Sequence, residues 1–195
     1  MRTMKLIESG NPILREVAEE VIDFEEAGQI LDELEVLMRE QEGVGMAAPQ
    51  VGISKKIAIA EGDDWTVELI NPEITFYGDK VTIAQEGCLS LPDLYLWVPR
   101  YRKVRVEYFD REGNSKRLRA RGLLALSIQH EVDHLDGILI DKRGVTSDAL
   151  TSLETSTEGA NTSKADKTDS SVASGSNSPP GLRLHRHHDR HTKSV

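Results

Sequence analysis

Apolar residues recur along the first forty positions at three- and four-residue spacings. In "PILREVAEEV" they fall at Ile13, Leu14, Val17, Ala18 and Val21, behind the turn signal "SGNP" and with Pro12 at a first helical position. That spacing predicts a short helix over residues 12–21. Residues 25–41 repeat the pattern at Ile30, Leu31, Leu34, Leu37 and Met38, with acids crowding the first turn where the helix dipole favours them, and predict a longer helix. The periodicity stops at "EGVGMAAPQVG", where three glycines and a proline among small side chains predict a loop that something approaches closely.

The period then shortens. "KIAIA", "TVELI", "ITFYG" and "KVTIA" are short β-rich runs separated by Gly-Asp and Asn-Pro turn signals. In "KVRVEYFD", Val104, Val106 and Tyr108 alternate with Arg105, Glu107 and Phe109, as in a half-buried strand, and "DREGN" reads as a hairpin turn into the return strand "SKRLRARG". Helical spacing returns in "LLALSIQHEVDHLDG", where Leu123, Leu126, Ile128 and Leu135 interleave with two histidines before Gly137, a residue suited to a C-cap. Strands first and a buried helix last, without βαβ alternation, predict an α+β fold of mostly antiparallel β-strands packed around a C-terminal helix.

Composition divides the 195 residues. Positions 146–180 hold 15 Ser or Thr and almost no large apolar side chains, too little to offset the entropy of ordering. The expected organisation is one folded domain over residues 1–145 and a disordered Ser/Thr-rich tail over residues 146–195. The tail ends in "LRLHRHHDRHTKSV", with four of the six histidines, which could bind metal or an anionic surface or simply be mobile. The domain carries the whole net charge of −9, polarised along its length: residues 1–93 hold 7 basic and 20 acidic groups, residues 94–130 hold 9 and 3. An acidic domain does not invite general nucleic-acid binding, and no specific DNA partner is expected. The basic run "RYRKVR" reads either as a solvated strand face or as a contact surface for an anionic partner. No apolar leader opens the chain and no run is long enough to span a bilayer, so the expected location is cytoplasmic, without membrane contact. The single cysteine, Cys88, excludes an intrachain disulfide.

The chemistry concentrates in "HEVDH". Two histidines four apart on a helix share a face, so His130 and His134 can chelate one divalent ion, while Glu131 reaches water activated at that ion without being a ligand. A third ligand decides the reaction. One metalloprotease pattern needs a histidine where this chain has Ile140; another needs a later glutamate, and Glu154 and Glu158 lie in the polar tail. Cys88 in "EGCLSLP" remains, and a thiolate beside two imidazoles is a reasonable set for zinc or ferrous iron.

"GVGMAAPQ" (43–50), "EGCLS" (86–90) and "HEVDH" (130–134) together resemble, in order and spacing, the three motifs of the peptide deformylases, over about residues 6–143. Met46 stands where that family usually has leucine, a volume-conserving exchange. The resemblance implies hydrolysis of the formyl group from N-formyl-methionyl nascent peptides, with release of formate. It implies one ferrous ion, replaceable by zinc, nickel or cobalt, on Cys88, His130 and His134, with Glu131 as general base and then acid. The Gln50 amide and the Leu89 backbone N–H would hold the oxyanion. Val44, Gly45, Leu123, Leu126 and Ser127 would line the methionine slot, although as core residues they would look the same. Glu86 and Arg100 would steady the metal set, or form an exposed pair of little energetic weight. Many relatives continue into a C-terminal helix, which in some of them docks on the ribosome; none is readable here, so transient ribosome contact lacks its usual element. Two rival readings are a metallopeptidase, opposed by the missing third histidine, and a silent metal-binding module, opposed by Glu131 and Gln50.

Overall fold

The computed structural model describes residues 4–62 and 65–148. Its elements are helix α1 (Phe24–Glu40), strands β1 (Gly45–Ala47), β2 (Ile57–Glu61), β3 (Thr66–Tyr77), β4 (Val81–Cys88), β5 (Leu91–Tyr101), β6 (Lys103–Phe109) and β7 (Ser115–Arg121), and helix α2 (Gly122–Leu135). The strands form a five-stranded sheet in the order β1-β2-β3-β6-β7 and a hairpin β4-β5, every pairing antiparallel. The expected tail lies outside the described residues from position 149 onward, as do its His-rich end and any docking helix. Among the described residues no helix is long and apolar enough to cross a membrane.

Strand β2 explains how the two helices are placed. Its run "IAIA" is buried on both faces: Ile57 and Ile59 belong to the cluster under α1, with Leu31, Leu34, Met38 and Met46, whereas Ala58 and Ala60 belong to the cluster under α2, with Ala47, Ala125 and Ile128. Alternation of side chains across a strand therefore gives α1 a large-residue face and α2 a small-residue face. The small face lets α2 come close to the sheet. A third cluster, including Leu14, Cys88, Leu96, Val98 and Leu139, fills the space behind the β4-β5 hairpin.

Three local expectations change. Residues 12–21 are not a helix: only Pro12–Arg15 form a 3-10 turn, capped by the Asn11 side chain, and the chain is extended from Glu16. Its backbone bonds go elsewhere, from Ala18 N–H to Leu135 C=O and from Lys56 N–H to Glu19 C=O. Leu14, Ala18 and Val21 are buried while Val17 and Ile22 are exposed, so an extended segment crossing two elements happens to mimic helical spacing. The glycine-rich stretch after α1 is not wholly loop, because Gly45–Ala47 form the edge strand β1 and Ala48–Val51 a 3-10 turn. Finally, "TVELI" and "ITFYG" are one strand. Asn71, at φ 48°, does not break it, because its side chain accepts from Val21 N–H (2.8 Å) and donates to Val21 C=O (2.9 Å), standing in for a strand neighbour across the bulge.

Candidate active site

Helix α2 begins directly after β7, runs over the small-residue face and ends at Asp136, followed by Gly137 in the left-handed region (φ 70°) that glycine accepts without strain. Its inner face carries Ser127, His130, Glu131 and His134, all buried. Cys88 arrives from the end of β4, where a register shift between Gly87 and Cys88 turns the chain. The thiol and the two imidazoles each offer one donor atom, and these lie within 4.8 Å of one another, with Cys88 Sγ 3.3 Å from His134 Nε2.

The donor set fits a divalent cation. His130 Nδ1 is occupied by Glu86 Oε2 at 3.0 Å, while its Nε2 is buried with no partner among the described residues. A carboxylate on one imidazole nitrogen leaves the other as the ligand and fixes the tautomer that binds metal. Burial pushes the Cys88 thiol up to about 12, with the charges of Glu131 and Glu86 adding to it and backbone N–H groups of Ser90 and Leu91 opposing. His134 lies well below its ordinary value, through burial first and then the charges of His130 and Arg100. Neutral imidazole is the form that donates to a metal, and a bound cation would favour the thiolate over the thiol.

Glu131 is fully enclosed, and both carboxylate oxygens lack hydrogen-bond partners among the described residues. Burial, reinforced by Glu86 and Asp133 and opposed by Arg100, holds it well above the usual carboxylate range. It lies against the α-carbon of Gly45: a Cβ at that position would overlap the carboxylate and stand 2.9 Å from Ser127 Oγ. Ser127 in turn donates to Val44 C=O at 2.9 Å, so edge strand and helix are joined beside Glu131. Gln50 is anchored by its own oxygen, which accepts from Ala47 N–H at 2.8 Å, and its amide nitrogen lies 3.5 Å from Ser90 Oγ and 3.9 Å from Cys88 Sγ. The Leu89 side chain is half-buried against the α1 cluster, and a Cβ at Gly43 would stand 3.1 Å from its Cδ1. Leu123 and Leu126 lie in the first half of α2, partly exposed.

The Glu86–Arg100 pair is buried rather than superficial, with 2% and 4% of the side chains exposed. Arg100 grips Glu86 through Nε (2.8 Å) and Nη2 (3.0 Å), and its Nη1 reaches Asp133 Oδ2 (2.5 Å). Arg143 closes the other side of Asp133 at 2.7 and 3.1 Å. Burial works against the Glu86 charge, yet hydrogen bonds from His130 and Arg100 hold its pKa below the ordinary value. Asp133, Arg143 and Gln129, which ties α2 to Tyr101 of β5, are neighbours of the site that the sequence did not single out. The one available signal was Asp133 inside the motif, an acid on a buried helix that needs a cation.

A buried thiol and two imidazoles around one point, with a carboxylate on the adjoining helical position, define a metal-dependent hydrolase. Comparison with known proteins agrees and narrows the class. The family model for polypeptide deformylase matches residues 3–148. A peptide deformylase of Heliobacterium modesticaldum is 40% identical over 144 residues, covering 73% of this chain and 95% of its own length. The crystal structure of the Thermotoga maritima peptide deformylase superposes with a TM-score of 0.72 at 34% identity, over 74% of this chain and 99% of that one. A class I type b peptide deformylase from Acinetobacter baumannii with Met-Ala-Ser bound gives 0.68 at 34% identity, over 72% and 98%. The chain belongs to the polypeptide deformylase family.

Proposed function

We propose that Cys88, His130 and His134 hold a ferrous ion, which zinc, nickel or cobalt can replace, and that Glu131 moves the proton of the reaction. The reaction itself is that of a peptide deformylase: metal-dependent removal of the N-formyl group from methionine, in which water and formyl amide give formate and a free amine. When bound, the ion supplies Lewis-acid chemistry, polarising the formyl oxygen and bringing the pKa of water near about 7. The observation that carries the reading is the enclosed Glu131 with two unpartnered oxygens beside that cluster. Its carboxylate takes a proton from the attacking water and returns it to the leaving nitrogen, so one group serves as base and then acid. A raised pKa suits the second half of that task, and the charge of a bound cation restrains the rise in the first.

The Gln50 amide N–H and the Leu89 backbone N–H donate to the oxyanion of the tetrahedral intermediate. Gln50 is suited to this because its oxygen is tied to Ala47, which leaves its nitrogen facing the Cys88 side. Val44, Gly45, Leu123, Leu126 and Ser127 form the side of the site that receives methionine. The relative with Met-Ala-Ser bound supports a tripeptide-sized occupant. Substrates are nascent N-formyl-methionyl peptides, so the cytoplasm is the compartment proposed, with transient contact to the ribosome.

Formate release from formyl-Met-Ala-Ser, measured on anaerobically prepared protein loaded with ferrous iron or nickel, tests the reading. Rapid release with the unformylated peptide left intact is expected. Glu131→Gln should retain metal by atomic absorption and lose turnover by about 10²–10⁴-fold. Near-normal turnover in that variant would overturn the proton-transfer assignment, and cleavage inside the unformylated peptide would return the chain to the peptidases.

A further inference from the structure

The five-stranded sheet has one face that the helices cover only in part. Helix α1 reaches Phe109 at the end of β6, where the Phe24 and Phe109 rings lie 5.7 Å apart. Two residues along β6 on the same face, Glu107 is neutralised by Arg117 across the ladder. Beyond it the balance fails. Arg105 stands directly opposite Arg119, and Lys103 directly opposite Arg121. Like charges placed opposite one another in a ladder are unfavourable, and no described carboxylate forms an ion pair with any of the four. The other side of these strands, with Val104, Val106 and Ala120, is the one buried under α2, so the cationic side is turned away from the metal cluster.

Three further features give this face the form of a binding site. Phe76, half exposed on β3, neighbours Arg105 in the ladder, and the guanidinium carbon lies 5.4 Å from its ring centroid. Arg105 Nε is buried and has no hydrogen-bond partner among the described residues. A cavity of about 230 Å³ opens between Phe76, Lys103, Arg105, Arg119 and Arg121, and adjoins a second of about 410 Å³ that shares Lys103 and Arg121 and adds Lys80, Arg102 and the single acid Asp79.

We propose that the outer face of β3, β6 and β7 binds single-stranded RNA. The rows of unneutralised cations suit phosphodiesters, and an exposed aromatic ring beside arginine suits a stacked base, the two components of single-strand recognition. An acidic peptide would answer the cations and leave the ring unused. Unpaired nucleotides in RNA loops present both groups together. The net charge of −9 confines attraction to this patch and makes the interaction modest and salt-sensitive. The proposal goes beyond deformylation and does not rest on it.

The experiment is fluorescence anisotropy of a labelled RNA dodecamer titrated with the full-length, metal-loaded protein at several salt concentrations. Replacing two phosphate-binding cations in Arg105→Gln/Arg119→Gln should reduce the log–log salt slope by about 1.4. Phe76→Ala should weaken binding by about 5- to 150-fold, the range for loss of one stacked base. Formate release should be unchanged in both variants, which separates this face from the catalytic site. Absence of RNA binding, or binding indifferent to the double substitution, overturns the proposal. So does equal competition by inorganic polyphosphate or oligoglutamate with no effect of Phe76→Ala, tighter binding of the same strand as DNA, or preferential binding to phosphatidylglycerol vesicles.

Discussion

Arg100 and Arg111 each bridge a pair of carboxylates, in very different surroundings. Arg100 joins Glu86 of β4 to Asp133 of α2 with 4% of its side chain exposed, while Arg111, in the β6-β7 turn, joins Glu68 of β3 to Asp32 of α1 with 36% exposed. On paper the two assemblies have the same charges. Behind the metal cluster, however, the carboxylates have no water to fall back on, and one of them also positions His130. At the surface, solvent and salt replace most of what Arg111 provides. The ion pair that matters is the one whose removal leaves charge stranded, and here that pair stands one residue behind a proposed ligand.

Removing the buried cation tests the contrast most severely. Arg100→Gln should cost about 3–5 kcal/mol in urea unfolding, because Glu86 and Asp133 remain buried without it. In the same variant, metal affinity measured by chelator competition should fall about 10- to 100-fold as His130 loses its fixed orientation. An Arg100 variant of near-parental stability would erase the distinction. Arg143→Gln sharpens it from the intermediate position. Arg143 is 46% exposed, so after allowance for screening its loss should cost about 1 kcal/mol, with a smaller effect on metal retention than at Arg100.

Arg111→Gln should cost less than about 1 kcal/mol, and the difference from the parent should shrink further as salt rises to about 1 M. Metal content should not change; if it does, the surface network reaches the site by a route not visible in its contacts. The smallest effect belongs to Asp110, beside Arg111 in the turn. Against desolvation, the backbone and side chain of Asn114 and the Lys116 ammonium hold Asp110 down at about 2, below its ordinary 3.8. A depressed carboxylate contributes stability that is complete above the ordinary value and lost as pH falls through the folded one. The urea midpoint of Asp110→Ala should therefore approach that of the parent between pH 4 and about 2. A gap that stays constant over that interval would show that the turn does not use the charge.

The chemistry was unusually legible in the linear chain, because a metal site must present fixed donor types at helical spacing. His130, Glu131 and His134 are four consecutive helical steps apart at most, and the alternation in β6 and the hairpin into β7 were equally readable, since each is local. Less readable were segments whose partners lie far along the sequence. Residues 16–22 carry helical spacing yet run extended, because Ala18 finds Leu135 and Lys56 finds Glu19. Asn71-Pro72 resembles a break, yet Asn71 finds Val21 and keeps the strand going. For Arg100 the resemblance supplied one acid, Glu86, but nothing local signalled the second, Asp133 of α2, or the burial of a residue from a basic run.

By itself, then, the sequence determined the class of fold, the two long helices, the donor types and the family resemblance, since all four are written in periodicity and short motifs. Tertiary structure alone decided that Gly45 lies against Glu131, that the Ala58 and Ala60 face admits α2, that Asp133 joins Glu86 and Arg100 behind His130, and that like-charged pairs meet on the open face of β6 and β7. These are relations between residues from different elements, brought together only when the strands pair and the helices cover them. Close approach, burial and uncompensated charge are properties of that assembly, and no local pattern encodes them.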